Sequence, residues 1–115
     1  MERIINIGGI PVPMKATASS LIRYRNQYGR DLLKDFEVIQ NAAAQPTLAA
    51  EAIQTFICLC HTLARQADPT IAPDAFDWVD QFETFPIRDF YLDVVTLWAE
   101  SLGQKVEVAE QAKNA

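Results

Sequence analysis

Cysteine is almost missing from this 115-residue chain, with Cys58 and Cys60 the whole complement. They sit two apart in a segment that reads as helix, which turns their side chains about 200° away from each other around the axis. They cannot bridge one another, so a disulfide framework is excluded and a reducing cytoplasm is the simplest compartment. Histidine is scarcer still, with His61 alone. Cys58 and His61 share a helix face at i and i+3, but a zinc site needs roughly three or four ligands and no second Cys/His pair exists. As a nucleophile pair the same two residues lack an identifiable oxyanion donor. Glycine is sparse too, and no P-loop, GxGxxG or GxSxG occurs. The expectation is therefore no enzyme, no catalytic residue, no cofactor and no metal.

Long apolar runs are also lacking. Nothing approaches the roughly eighteen consecutive apolar residues of a membrane span. Met1-Glu2-Arg3 leads straight into a β-like segment, without the basic start and apolar stretch of a signal peptide. Positive charge is in the minority, 10 Lys and Arg against 15 Asp and Glu, giving −5. A surface built to neutralise phosphates would carry a basic stripe, so neither nucleic acid nor membrane is the expected partner.

What is present is enough for one soluble domain. Half of the residues are hydrophobic, and a globule of this length buries roughly two thirds of the surface its unfolded chain exposes. The organising stretch is Thr47 to Ala67, free of Gly and Pro. Ala49, Ala52, Ile53, Phe56, Ile57, Cys60, Leu63, Ala64 and Ala67 recur at helical steps. Glu51, Gln54, Thr55, His61, Thr62, Arg65 and Gln66 are left for the other side, so the segment reads as a central helix covered over most of its circumference.

Ahead of it, RIINI and IPVPMK flank Gly8-Gly9, a hairpin signal because both central residues of a type I′ turn need positive φ. Ile5, Ile7, Ile10, Val12 and Met14 form its candidate buried face. Pro11 and Pro13 are expected to remove ladder donors, which makes the second strand an edge strand or only partly paired. A lone hairpin is marginal in water, so it must lie on helices or pair with another subunit, which makes it a candidate site of self-association. Thr17 is a candidate N-cap for a short helix with Ala18, Leu21, Ile22, Arg25 and Tyr28 on one side, stopped at Gly29. Asp31 can cap a second helix carrying Leu32, Leu33, Phe36 and Ile39. Asn41 to Gln45 reads as linker or frayed helix end, and Pro46 as the first turn of the central helix.

Beyond Ala67, Pro69 and Pro73 break the helix, and Pro73 or Asp74 opens a short acidic one. There Phe76 and Val79 face one way, with Trp78 and Phe82 completing a collar. Pro86 starts the last helix, with Ile87, Phe90, Tyr91, Val94, Leu97, Trp98 and Ser101 in register and Gly103 as its stop. It is the natural partner of the central helix. Residues 104–115 lack aromatic anchors and read as a flexible tail. The fold class is mainly α: about five helices around a central helix, a hairpin at residues 3–15, and one domain over residues 1–103. Most of the aromatic residues of the last third read as core, with Phe76, Trp78, Phe82, Phe85 and Tyr91 as candidate protein-binding residues.

The order of features resembles the tail assembly chaperones of long-tailed bacteriophages and prophages. The likeness rests on YRNQYGRDL (Tyr24 to Leu32), FDWVDQF (Phe76 to Phe82) and LWAES (Leu97 to Ser101), loose hydrophobic and aromatic patterns spread over nearly the whole chain. The resemblance implies a protein of the bacterial host cytoplasm, absent from the mature virion. Its client would be the tape measure protein, a long apolar helical chain kept soluble until tail tube protein polymerises around it. The resemblance transfers no catalytic residue. It also implies a frameshifted long form: codons GCA-AAA-AAC at Ala112-Lys113-Asn114 would contain the slippery run A-AAA-AAC, which reading the gene settles. Two other classes stand beside this one. One is a structural head-tail or tail subunit retained in particles. The other is a small DNA-binding regulator using Arg23, Arg25 and Arg30, although Asp31 and Asp35 interrupt that cluster.

Overall fold

The computed structural model describes residues 1–103; the expected tail over 104–115 and the frameshift position at Ala112 to Ala115 lie outside the described residues. The chain runs as strands β1 (Glu2–Ile7) and β2 (Ile10–Lys15), then helices α1 (Ser20–Tyr28), α2 (Leu32–Ala43), α3 (Ala50–Ala67), α4 (Ala75–Val79) and α5 (Ile87–Ser101). The expected class, helices around a central one with an N-terminal hairpin, is what the structure shows.

The hairpin follows from its turn. Gly8 and Gly9 both take positive φ, +57° and +89°, and the register pairs Ile7 with Ile10, Ile5 with Val12 and Arg3 with Met14. Met1 and Ala16 exchange both backbone hydrogen bonds at 2.8 Å. Every second pair in an antiparallel ladder is hydrogen-bonded, so the bonded pairs are those with odd-numbered β1 residues. Pro11 and Pro13 therefore sit in the non-bonded pairs, opposite Asn6 and Ile4, and their nitrogens point away from β1. β2 is an edge strand, as the prolines implied, but it is fully paired with β1: the donors they remove are those of its free edge, which blunts it against foreign strands. The bonded set, Ile5, Ile7, Val12 and Met14, is buried; Ile10 is not, because its place beside the turn lies at the rim.

Gly8 is required twice over. A side chain in the left-handed region costs about 1–2 kcal/mol, and a Cβ there would stand 2.7 Å from Thr84 Oγ1 and 2.9 Å from the Thr84 carbonyl oxygen. Gly9 shares only the first constraint, with open space around it. Gly8→Ala is expected to cost roughly 1 kcal/mol more than Gly9→Ala, read from urea unfolding midpoints. Equal losses would mean that the Thr84 loop yields freely.

The hairpin needs no second subunit to cover its apolar face, since β2 packs along α3 and β1 along α5. This corrects the pairing expected of the two long helices. Their meeting is made by Phe56 with Phe90 and Tyr91, ring centroids 5.7 Å apart in both cases, and the principal backbone neighbour of α5 is β1. The core joins Ile5, Ile7 and Met14 to Leu59, Leu63, Leu97 and Trp98.

α3 is buried continuously from Cys58 to Ala64. The polar side expected from Thr55, His61 and Thr62 is buried as well. The two threonines manage this by bonding back onto their own helix, Thr55 Oγ1 to the Glu51 oxygen at 2.8 Å and Thr62 Oγ1 to the Cys58 oxygen at 2.9 Å. α3 begins at Ala50, so Pro46 lies in the preceding turn rather than in the helix, while α2 extends through Ala43, into the stretch read as linker or frayed helix end.

α1 begins at Ser20, three residues after the expected cap. Thr17 instead accepts a hydrogen bond from Gln66 at 2.6 Å. The buried face of α1 is Ser20 and Tyr24 with Tyr28 half-buried, so Ile22 and Arg25 point outward, contrary to expectation. The reason is polar: Tyr24 donates to Asp35 Oδ2 at 2.6 Å and Ser20 to Gln66 Oε1 at 2.6 Å. Leu33 is likewise exposed, because the buried stripe of α2 is Leu32, Asp35 and Ile39. Asp31 does cap α2, accepting from the Leu33 amide at 2.9 Å.

Candidate functional site

An apolar groove of about 240 Å³ opens between α2, α3 and α5. Its floor and walls come from Ile39 and Ala42 of α2, Ala52, Ile53 and Phe56 of α3, and Tyr91 and Leu92 of α5. Small side chains make it: alanines at 42, 43 and 52 leave room where larger residues would close the three helices. Arg88 fastens one end, donating to the Gln45 carbonyl at 2.7 Å and reaching the Ala43 carbonyl at 3.5 Å. The Ala43 oxygen is at the end of α2 and Gln45 lies just past its cap, where carbonyls lack helical partners and a cation is favourable. Glu51, Asp89 and Asp93, neighbours of lining residues, are exposed. The groove falls below the roughly 300 Å³ of an ordinary small-molecule pocket. Its size and lining suit one or two apolar side chains presented by another helix.

Of the candidate binding residues, Tyr91 alone lines this groove. It is half-buried, its hydroxyl is enclosed without a protein partner, and burial pushes its pKa up. Phe76 is separate and 52% exposed. Trp78 is corrected from surface to core: it is 3% exposed, tilted against His61 and edge-on to Phe82 and Phe85 at centroid distances of 5.8, 5.2 and 6.0 Å. Phe82 and Phe85 are half-buried. Phe85 touches Phe90 at 5.0 Å, and Phe90 touches Phe56, so an unbroken aromatic chain leads from His61 to the groove. A five-residue α4, capped by Asp74 accepting from the Phe76 and Asp77 amides, can bury only one side, and Trp78 lies inward while Phe76 lies outward.

His61 is fully buried and holds three segments together. Its Nε2 lies 2.7 Å from the Ala72 carbonyl, which can only accept, so Nε2 carries the proton. Nδ1 then accepts from the Tyr28 hydroxyl. Burial lowers the His61 pKa, against the raising effect of the Ala72 carbonyl. Both ring nitrogens are occupied by protein groups, and burial raises the thiol pKa of Cys58 and, further, of Cys60. Among the described residues no three His, Cys, Asp or Glu side chains are grouped to hold a metal, and no helix is long and apolar enough to cross a membrane.

Sequence reasoning missed the groove because Asn41 to Gln45 was read as linker or frayed helix end and Arg88 was given no role. The signal that could have found it is the small-residue run Ala42-Ala43-Ala44, beginning three residues after Ile39 at the end of an amphipathic helix. In comparisons with known protein families, curated sequences and solved structures, the chain has no significant match.

Proposed function

We propose that this chain is a phage or prophage tail assembly chaperone. It binds the tape measure protein without covalent chemistry in the bacterial host cytoplasm and keeps it soluble until tail tube protein assembles around it. It is not an enzyme, and it is left behind when the virion is complete. The observation that carries the reading is the open apolar groove between α2, α3 and α5, which offers an amphipathic helix a place for its apolar side chains. The exposed acidic residues Glu51, Asp89 and Asp93 suit a client helix with a basic flank. The resemblance of the ordered motifs to that family supplies the client. For the regulator reading, one of its arginines is already engaged: Arg30 is held by Asp35 at 2.7 Å.

The test is co-expression with the long helical protein encoded just downstream, scoring the client that stays soluble and co-purifies. Leu92 lines the groove and is 42% exposed, so Leu92→Asp leaves the fold intact and places a charge in the binding surface. Retention is expected to fall at least tenfold, about 1.4 kcal/mol of binding. No complex with the unaltered chain, even with a frameshifted long form supplied, would sink the reading.

A further inference from the structure

The charges of this molecule are segregated. Between Ser20 and Lys34 lie Arg23, Arg25, Arg30 and Lys34 against Asp31 alone. From Asp68 to Asp93 lie seven carboxylates against Arg88 alone. Each region also exposes large apolar side chains. On the basic α1–α2 corner Ile22 is 62% and Leu33 55% exposed, beside a recess of about 440 Å³ lined by Leu21, Ile22, Arg25, Gly29, Arg30 and Leu32, with Asp31 as its one carboxylate. On the acidic region Phe76 projects from α4 between exposed Asp74, Asp77 and Asp80. One surface is a basic, apolar-lined socket, and the other is an aromatic knob ringed by carboxylates. Among the described residues Arg25 and Lys34 make no ion pair.

The two surfaces cannot meet within one chain. Gln27 donates to the Pro73 carbonyl at 2.6 Å, which fixes the approach to α4 on that flank of α1. At about 100° per residue, Gln27 stands roughly 140–160° around α1 from Ile22, Arg25 and Gly29. Knob and socket therefore lie on opposite flanks of the same helix.

We propose that the occupant of the α1–α2 socket is the Phe76 knob of a second copy of this chain, so that copies associate head to tail. Arg25 and Lys34 meet Asp77 and Asp80 of the next copy, and Phe76 enters the recess beside Ile22. Such an interface is heterologous: it leaves one knob and one socket open at the ends, and it grows into a ring or an open chain. It stands apart from the groove and does not depend on the client reading.

The experiment is analytical ultracentrifugation of the full chain without client, over a wide concentration range at low and high salt. Assembly beyond a dimer is expected, weakening as salt screens the opposed charges. Phe76→Ser and Arg25→Glu, both at exposed positions, are each expected to raise the dissociation constant about thirtyfold and leave monomers. Their equimolar mixture is expected to form a one-to-one dimer and stop, because one variant keeps the socket and the other the knob. A chain monomeric throughout, variants that still assemble, or a mixture that stays monomeric would each overturn the proposal. Client retention by monomeric Phe76→Ser separates this outcome from that of the groove.

Discussion

Trp78→Ala is expected to lower the unfolding free energy by about 3–5 kcal/mol, the cost of deleting a large buried aromatic side chain and leaving its cavity. That is a large share of the roughly 5–15 kcal/mol of an ordinary domain. Here the cavity would open beside His61, Phe82 and Phe85, which all pack on the indole. The imidazole loses the face that holds it between Tyr28 and Ala72, so its buried hydrogen bonds weaken with the packing. Phe76→Ala, two residues away on the exposed side of α4, is expected to stay within about 0.5 kcal/mol of the unaltered protein. Urea unfolding of both variants, monitored by far-ultraviolet circular dichroism, reads the contrast. Equal small losses would place Trp78 at the surface after all.

The Trp78 and Phe76 pair shows what was legible in the sequence and what was not. Periodicity located α4 and its cap because Asp74 and the apolar spacing are local features. It could not say which side of a five-residue helix faces in, since Phe76 and Trp78 are both aromatic and only the arrival of His61 from α3 decides between them. The hairpin was legible for the same local reason: Gly8-Gly9 flanked by alternating apolar residues admits few other readings. α1 was misread because its buried stripe is Ser20, Tyr24 and Tyr28, polar atoms whose partners Gln66, Asp35 and His61 lie 46, 11 and 33 residues away. Hydrophobic pattern assigned Ile22 to the core; satisfied hydrogen bonds put Tyr24 there. The groove was least legible, because it is a shape left by alanines on two helices whose approach no local rule specifies.

Asp35→Ala is the second large effect, with an expected loss of about 2–4 kcal/mol. The carboxylate is buried and receives the Tyr24 hydroxyl at 2.6 Å together with two bonds from Arg30, at 2.7 and 3.0 Å. Alanine leaves a buried hydroxyl and a guanidinium without their acceptor. Arg30 is half exposed and can turn to water, which keeps the loss below that of a fully buried pair. Asp35→Asn retains an acceptor for Tyr24 and is expected to lose about half as much.

The pH dependence separates charge from packing. Burial alone would raise the Asp35 pKa, but the Arg30 and Tyr24 bonds outweigh it and hold the carboxyl below its usual range. The folded state then resists a proton that the unfolded chain takes up near pH 4. Stability from Asp35 is fully present above that point and is lost as pH falls through the lower folded value. His61 acts in the same direction at higher pH. It is kept neutral by burial, so the unfolded imidazole protonates first, and stability begins to fall below about pH 6.5. Unfolding free energies measured from pH 7 to pH 3 are expected to decline in two stages. In Asp35→Ala the stage below about pH 5 flattens and the one near pH 6 remains. An unchanged lower stage would assign it to other carboxylates.

The packing of β1 against α5 has a consequence for how the chain is made. Arg3 meets Glu100 across 97 residues of sequence at 3.4 Å, and Ile5 and Ile7 share a core with Leu97 and Trp98. During synthesis the hairpin leaves the ribosome long before the helix that covers half of it. Translation runs at roughly 5–20 residues per second, so the apolar face of the hairpin waits for seconds with only provisional cover. Over that interval the prolines on the outer edge of β2 guard the nascent chain, denying neighbouring nascent strands a ladder to extend while the last helix is still inside the exit tunnel.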